Sequence, residues 1–393
     1  MKFESRRAIR SVVGLMVLCL LGTAGARGQG NMAASGDKPQ MSEDAFKNIQ
    51  VLRGIPVSEF MNTMGFFAAA LSMNCTDCHT SDSAGNWAKY ADDTQLKNTA
   101  RRMVLMENLI NRADFGNTRL VTCYTCHRGA QRPDTTPSLM EQYGTPPPDD
   151  PDDVLQLPNT PADTSAAAAQ ILDKYIQAIG GAAAAAKLTS FTAKGTYSGF
   201  DTDFQKAPAD IYAKAPNMRA LSNHLAGGDN TYTFDGHEAW QAGADRPVSL
   251  IMLTGGDLDG ARVDGDLNFP TSLKQDLTKW RAGFPAVTIG THSTQVIEGM
   301  AGDTRVKLYF DKTTGLLVRQ TRFVNTAVGL IPQHVDYSDY RVVAGVKLPF
   351  KWQNTWTDGQ STTELASIQA NAAVDASKFA KPAPAVPKEP AKK

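Results

Sequence analysis

Two short runs constrain this chain more than anything else in it: Cys75-Thr76-Asp77-Cys78-His79 and Cys123-Tyr124-Thr125-Cys126-His127. Each sets two thiols three positions apart, with an imidazole directly behind the second. That spacing suits covalent capture of a haem, because the thiols add to its two vinyl groups and the imidazole ligates the iron. Two such sites predict two covalently attached haem c groups, held by Cys75, Cys78, Cys123 and Cys126, with His79 and His127 on the irons. The same cysteines, as two C-x-x-C pairs, also fit a zinc site or redox disulfides. Neither of those readings gives the following histidines a task, and the βαβ surroundings of a thioredoxin-type disulfide are missing.

At 393 residues the chain exceeds one typical domain, which predicts two folded units plus tails. Its formal net charge is zero and 20% of its residues are charged. That balance gives no electrostatic reason to expect nucleic acid as a partner and leaves room for a docking patch for another redox protein. Lys2, Arg6, Arg7 and Arg10 precede an apolar run over 12–21, and Ala24-Gly25-Ala26 fits a small-residue cleavage site, so residues 1–26 read as a signal peptide. The run is too short to span a bilayer. The expected mature chain is periplasmic and has no transmembrane segment. The fifth cysteine, Cys19, falls in the signal, leaving no thiols for a framework of structural disulfides.

Residues 27–44 read as a mobile leader. A helix is predicted over 57–71, with Ser58 as N-cap and Phe60, Met64, Phe67 and Leu71 on one apolar stripe. A methionine on such a stripe ordinarily serves as core. Here an iron with one histidine has a sixth position to fill, and a thioether favours the reduced metal. Met64, Met61 and Met73 are the candidates in this half. A polar loop over 81–93 offers Trp87 and Tyr90 to a haem face or edge. A second helix follows over 94–114, with Leu96, Ala100, Met103, Met106 and Ile110 on or near one stripe, so Met103 and Met106 pose the same question. Arg101, Arg102 and Arg128 either meet haem propionates or form a solvated basic face.

These residues resemble a known family. Asn48-Ile49-Gln50-Val51-Leu52, Glu59-Phe60 with Met64, the first haem motif, Ala100-Arg101-Arg102-Met103, and Val121-Thr122 leading into the second motif with Arg128-Gly129 behind it look like the cytochrome c subunit of bacterial photosynthetic reaction centres. The likeness covers roughly 45–135. It implies that Met64 and Met103 are the distal iron ligands, opposite His79 and His127. The family's best-known members carry four haems in two such pairs, whereas this chain has one pair and a somewhat shorter spacer between Met64 and Cys75. The resemblance therefore implies the haem-binding architecture and leaves a photosynthetic role open.

Residues 136–164 change composition. Pro146-Pro147-Pro148-Asp149-Asp150-Pro151, with Pro158 and Pro161, predicts an extended linker that lets the two halves move relative to each other. The second unit, 165–378, opens with a helix striped by Ile171, Leu172, Tyr175, Ile176 and Ile179 and ending at Gly180-Gly181. Alternating strands follow, such as Phe191 to Tyr197, Arg305 to Phe310 and Val346 to Trp356. The expected fold is multidomain: a mostly α-helical dihaem cytochrome c domain over 45–135, then an α+β domain in which a helix covers a curved antiparallel sheet. The second unit is similar in pattern to periplasmic half-barrel domains of the lipoprotein-carrier type, which implies an apolar cavity for an acyl chain or a protein segment. His224, His237, His292 and His334 are scattered singly and read as surface or hydrogen-bonded histidines. Residues 379–393 read as a disordered tail.

Together these features predict a periplasmic electron carrier with two His/Met-ligated haems, donor and acceptor redox proteins as partners, and no catalytic residues. Six-coordinate iron has no position for a small substrate. The alternatives are a dihaem enzyme such as a peroxidase, in which one iron loses its distal ligand, or a redox-linked binding or sensing protein whose sheet domain holds an apolar ligand.

Overall fold

The computed structural model describes residues 37–84, 86–145 and 164–386. The predicted signal peptide, most of the proline-rich linker and the last seven residues lie outside the described residues.

The first half is helical: α1 (Ser42–Ala45), α2 (Val57–Leu71), α3 (Cys75–Cys78), α4 (Gln95–Asp114), α5 (Cys123–His127) and α6 (Leu139–Tyr143). The second half opens with α7 (Ser165–Ala178) and α8 (Ala182–Ala185) and continues as strands, interrupted by α9 (Gly255–Asp266) and α10 (Leu273–Asp276). Strands β1 (Ser190–Gly199), β2 (Ala207–Lys214), β3 (Met218–Leu225), β4 (Gly228–Phe234), β5 (Ala239–Gly243) and β6 (Leu250–Leu253) precede α9. After it come β7 (Thr278–Arg281), β8 (Thr288–Ile289), β9 (His292–Ala301), β10 (Thr304–Asp311), β11 (Leu317–Thr326), β12 (Gly329–Val343), β13 (Val346–Trp356) and β14 (Gly359–Ala370).

All strands belong to one antiparallel arrangement in the order β6-β5-β4-β3-β2-β1-β14-β13-β12-β11-β10-β9-β7, with β8 paired to β9. Neighbours in this order are consecutive in the chain except where β9 meets β7 at one edge and where β1 meets β14, Tyr197 opposite Thr363, in the middle of the sheet. Helix α9 touches β3 and β4 as well as β9, β10 and β11. Those groups lie far apart in the strand order, so the sheet must curl around the helix. The predicted α+β architecture with a covering helix is what the structure has, with α7 as a second cover whose Tyr175 ring lies 5.2 Å from that of Phe310.

Helix α9 was not legible in the sequence, because its glycines depress helix propensity. Tertiary packing uses them: a Cβ on Gly256 would come within 2.8 Å of Val324, and one on Gly265 within 2.0 Å of the Asn217 carbonyl. Only glycine lets the helix lie that close to the strands.

The two halves share an apolar cluster: Leu52, Phe66, Ala70 and Val104 pack with Val324, Val328 and Ile331 of the β11–β12 region. Ser58 pairs its hydroxyl with that of Thr254 at 2.8 Å, and Asn62 donates to Asp257 at 2.7 Å. Ser58 is therefore buried as a tie to the second half and does not cap α2, whose N-cap is Pro56. The independent motion expected of a linker between two separate units gives way here to a shared interface. At the far end, Phe379, the first residue of the expected tail, is fully buried, and the Ala385 amide donates to the Ser249 carbonyl at 3.2 Å.

Candidate functional site

The first motif is built by a capping box. The Asn74 side chain accepts from the amides of Thr76 at 2.9 Å and Asp77 at 3.1 Å, and Asp77 accepts from the Asn74 amide at 2.7 Å. This reciprocal cap holds one helical turn, which sets Cys75 and Cys78 on neighbouring positions of one face. His79 ends the turn, and its Nδ1 lies 3.0 Å from the Tyr90 carbonyl oxygen, with the Tyr90 ring 4.7 Å from its own. A carbonyl only accepts, so Nδ1 carries the hydrogen and Nε2 keeps its lone pair for a metal. Burial, then the nearby Lys97 charge, hold the His79 pKa below the ordinary value, which also favours the neutral ring. Thr94 caps α4 by accepting from the Lys97 amide at 3.1 Å and donates to the Cys78 carbonyl at 2.5 Å, tying the two elements together.

The second motif repeats the plan with threonines. Thr122 and Thr125 form the box, and His127 Nδ1 lies 3.0 Å from the Ala130 carbonyl. The loop that delivers it is held by buried groups of α4. Asn111 donates to the Val121 carbonyl at 2.7 Å and accepts from the amides of Leu120 and Val121 at 3.0 Å each. Glu107 pairs with Arg119 at 2.7 Å and accepts from the Cys123 thiol at 3.3 Å. Burial, followed by the Glu107 charge, pushes the Cys123 thiol up to about 12. Sequence periodicity did not find Glu107 and Asn111, because polar residues on a buried line look like a solvated face until the loop they serve is in place.

Helix α4 turns a different side inward from the one expected. Its buried positions are Val104, Glu107 and Asn111, and the apolar stripe that includes Met103 and Met106 faces outward, 36% and 47% exposed. Leu105, Leu109, Leu120 and Tyr124 are exposed with them. Met64 is half-buried beside Phe60, Phe67 and Cys123 in the shared cluster. Met61 points to the other side of α2, where it lines a cavity of the second half. Met73 lines an open cleft of about 500 Å³ together with Leu71, Asp77, Leu96 and Gly129, between the first motif and the turn behind the second. Arg101 is engaged with Asp93 at 2.7 Å and the Asn48 carbonyl at 3.1 Å. Paired thiols, imidazoles each with Nδ1 at 3.0 Å from a backbone carbonyl, thioethers and uncovered apolar surface together fit a haem at each motif. Among the described residues no group of three or more His, Cys, Asp or Glu side chains converges as a metal-ion site would require.

In the second half, His224 lies 3.0 Å from Asp229, His292 lies 2.9 Å from Asp311, and His237 is exposed. The curved sheet holds a cavity of about 400 Å³ whose lining mixes polar groups, Asn62, Asp201, Arg246 and Asp257 among them, with apolar ones such as Met61, Leu221, Val335 and Trp356. The apolar part of the curved face is packed, leaving about 60 Å³ beside Tyr175, Phe191 and Trp352. An apolar cavity for an acyl chain was expected; side chains of the strands and α7 pack part of the curved face, and the cavity of about 400 Å³ beside it has a mixed lining of apolar and polar groups. Among the described residues no helix is long and apolar enough to cross a membrane.

Residues 26–184 match the family model described as the photosynthetic reaction centre cytochrome C subunit. A curated relative, the photosynthetic reaction center cytochrome c subunit of Thermochromatium tepidum, is 39% identical over 102 residues, which are 25% of this chain and 24% of the relative. The match thus spans about a quarter of that relative's length. Solved structures similar to this chain include a DUF1329 family protein from Desulfovibrio piger, 9% identical, covering 56% of this chain and 98% of that one with a TM-score of 0.39. Another is a LolA superfamily protein from Nitrosomonas europaea, 12% identical, covering 55% and 97%, with a TM-score of 0.38.

Proposed function

Taking the likeness of residues 26–184 to the reaction-centre cytochrome c subunits as the premise, we propose that this half is a periplasmic dihaem c-type cytochrome that passes electrons between protein partners. In this reading Cys75 and Cys78 hold one haem, and Cys123 and Cys126 hold the other. His79 and His127 are the proximal ligands, with Met64 and Met103 distal. Bound haem supplies a one-electron iron couple, which a His/Met ligand pair biases toward the reduced state. The observation that carries the reading is the matched pair of Nδ1–H to carbonyl hydrogen bonds, 3.0 Å at both histidines. Such a bond fixes ring orientation and tautomer and raises the basicity of Nε2. Two motifs built independently, one on an Asn/Asp box and one on a Thr/Thr box, arrive at the same imidazole arrangement.

The chain's own residues do the rest. The capping boxes hold each thiol pair at one-turn spacing, Asn111 and Glu107 fix the approach to the second pair, and the exposed apolar positions of α4 give a porphyrin face something to cover. The test is expression of the full chain in a host with haem-attachment machinery, read by a denaturing pyridine haemochrome spectrum and intact mass. A c-type spectrum with the mass of two haems is expected. A colourless protein carrying zinc or two disulfides overturns the reading. A five-coordinate high-spin iron in the native spectrum would replace electron carriage with catalysis at that haem.

A further inference from the structure

Helix α2 carries Met64 and belongs to both halves of the molecule. Asn62 and Phe66 each stand two positions from Met64, about 200° round a helix, so turning them toward the sheet half turns Met64 away from it. Asn62 and Phe66 do meet the sheet half, at Asp257 and at the β11–β12 region. On the stripe that Met64 shares, Phe60 stacks on Phe46 of the helical half with ring centroids 4.9 Å apart.

Three separate places in the sheet half grip the near side of α2. Thr254 occupies the N-cap of α9 but makes no capping hydrogen bond, and its hydroxyl pairs instead with that of Ser58 at 2.8 Å. One turn along α2, Asn62 donates to Asp257 at 2.7 Å. In the turn between β11 and β12 the Ala327 amide donates to the buried Thr63 hydroxyl at 3.3 Å. In the turn between β13 and β14, Thr357 and Asp358 approach so closely that a Cβ on Gly65 would lie 2.9 and 3.1 Å from their side-chain oxygens. Asp257 is in turn held in place, because α9 seats against β11 where Gly256 leaves room for Val324. Apolar burial is non-directional and would let α2 slide or roll on the sheet half. Hydrogen bonds weaken steeply on misalignment. The two at Ser58 and Asn62, four residues apart, oppose sliding, and those at Asn62 and Thr63 oppose rolling.

We infer that the sheet half positions the distal ligand of one haem: Thr254 and Asp257 hold α2 at the height and rotation from which the Met64 thioether reaches the iron. This role rests on the His/Met ligation proposed above and gives the sheet half a task in the redox chemistry. Groups that orient a metal ligand from behind typically change metal affinity or activity by tenfold or more when removed. A thioether on iron favours the reduced state, so loosening α2 lowers the potential of that haem from a distance.

The test is a redox titration of the full, haem-loaded chain, read together with the far-red charge-transfer absorption of a thioether on ferric iron. Met64→Ala marks which midpoint belongs to that haem. Asp257→Leu should lower the same midpoint by about 59 mV or more, the equivalent of a tenfold change for one electron, weaken the absorption and leave the other midpoint in place. The sign is diagnostic, because losing a carboxylate charge by itself favours the reduced iron and raises a potential. Asp257→Asn keeps an oxygen for Asn62 and should hold the parent value or exceed it. Thr254→Val removes the other tie at nearly constant shape and should move the same midpoint in the same direction as Asp257→Leu. Leu172→Ala, in the core beneath α7 and away from α2, should lower the melting temperature and move neither midpoint. Parent midpoints and absorption in both Asp257→Leu and Thr254→Val overturn the positioning role while leaving Met64 as a ligand. Equal falls in both midpoints, or the same fall in Leu172→Ala, reduce the effect to general loosening and overturn it too. A parent chain without the thioether absorption, in which Met64→Ala changes neither midpoint, removes Met64 as a ligand and the positioning role with it.

Discussion

Phe66→Ala tests whether the helical half is docked on the sheet or merely tethered to it. The Phe66 ring is 6% exposed and sits among Leu52, Ala70 and Val104 on one side and Val324, Val328 and Ile331 on the other. Its ring edge occupies the space in front of Gly329, where an added Cβ would come within 2.7 Å of Cε2. Removing a buried phenyl ring costs about 3–5 kcal/mol through lost transfer energy and the cavity left behind. This cluster is small and lies at an interface that can partly close, so the low end, about 3 kcal/mol, is the expectation. Urea unfolding read by tryptophan fluorescence and far-ultraviolet circular dichroism should show the loss. Gly329→Ala forms the second arm of a cycle: its φ of +152° and the clash with Phe66 make it costly in the parent, and Phe66→Ala should relieve the clash. Additive effects, or a loss below about 1 kcal/mol for Phe66→Ala, would refute the docked arrangement.

Three other perturbations probe separate parts of the molecule. Asp266 is 2% exposed, accepts from Asn217 at 2.9 Å, and is raised by burial from 3.8 to about 6. Because the folded pKa lies above the unfolded one, the penalty is absent below about pH 4 and grows as pH rises through 6, reaching roughly 3 kcal/mol for a shift of this size. Asp266→Asn should therefore stabilise the chain at pH 7.5 and change little at pH 4 in urea titrations, and an equal gain at both values would contradict the assignment. Met103→Ala should lower one of two midpoint potentials in a redox titration and leave one iron high-spin, whereas Met106→Ala should move neither; the reverse outcome would transfer the ligand role to Met106. Asn111→Ala strips three hydrogen bonds from the loop before the second motif and should cost roughly 2–3 kcal/mol, with incomplete second-haem attachment visible by intact mass.

Much of this protein is local and therefore readable from the chain. A C-x-x-C-H run is a complete chemical statement within five residues, and its histidine geometry follows from a turn capped by its immediate neighbours. Helix α2 ends where its pattern ends, Thr94 caps α4 as such residues do, and alternating strands joined by short turns pair in sequence order. What the sequence left ambiguous depended on partners remote in the chain. Which side of α4 turns inward was decided by a loop needing Asn111 and Glu107, against the apolar periodicity. Helix α9 exists because strands on both arms of the sheet press against its glycines, a contact that no propensity encodes. The meeting of β1 with β14 and the docking of Phe66 on the β11–β12 region join residues well over a hundred positions apart, where the entropy of closure is repaid only by the assembled core. The cavity is the furthest case: Met61, Asp201, Arg246 and Trp356 carry no motif, and only the curl of the sheet and the docking of α2 bring them to line one space.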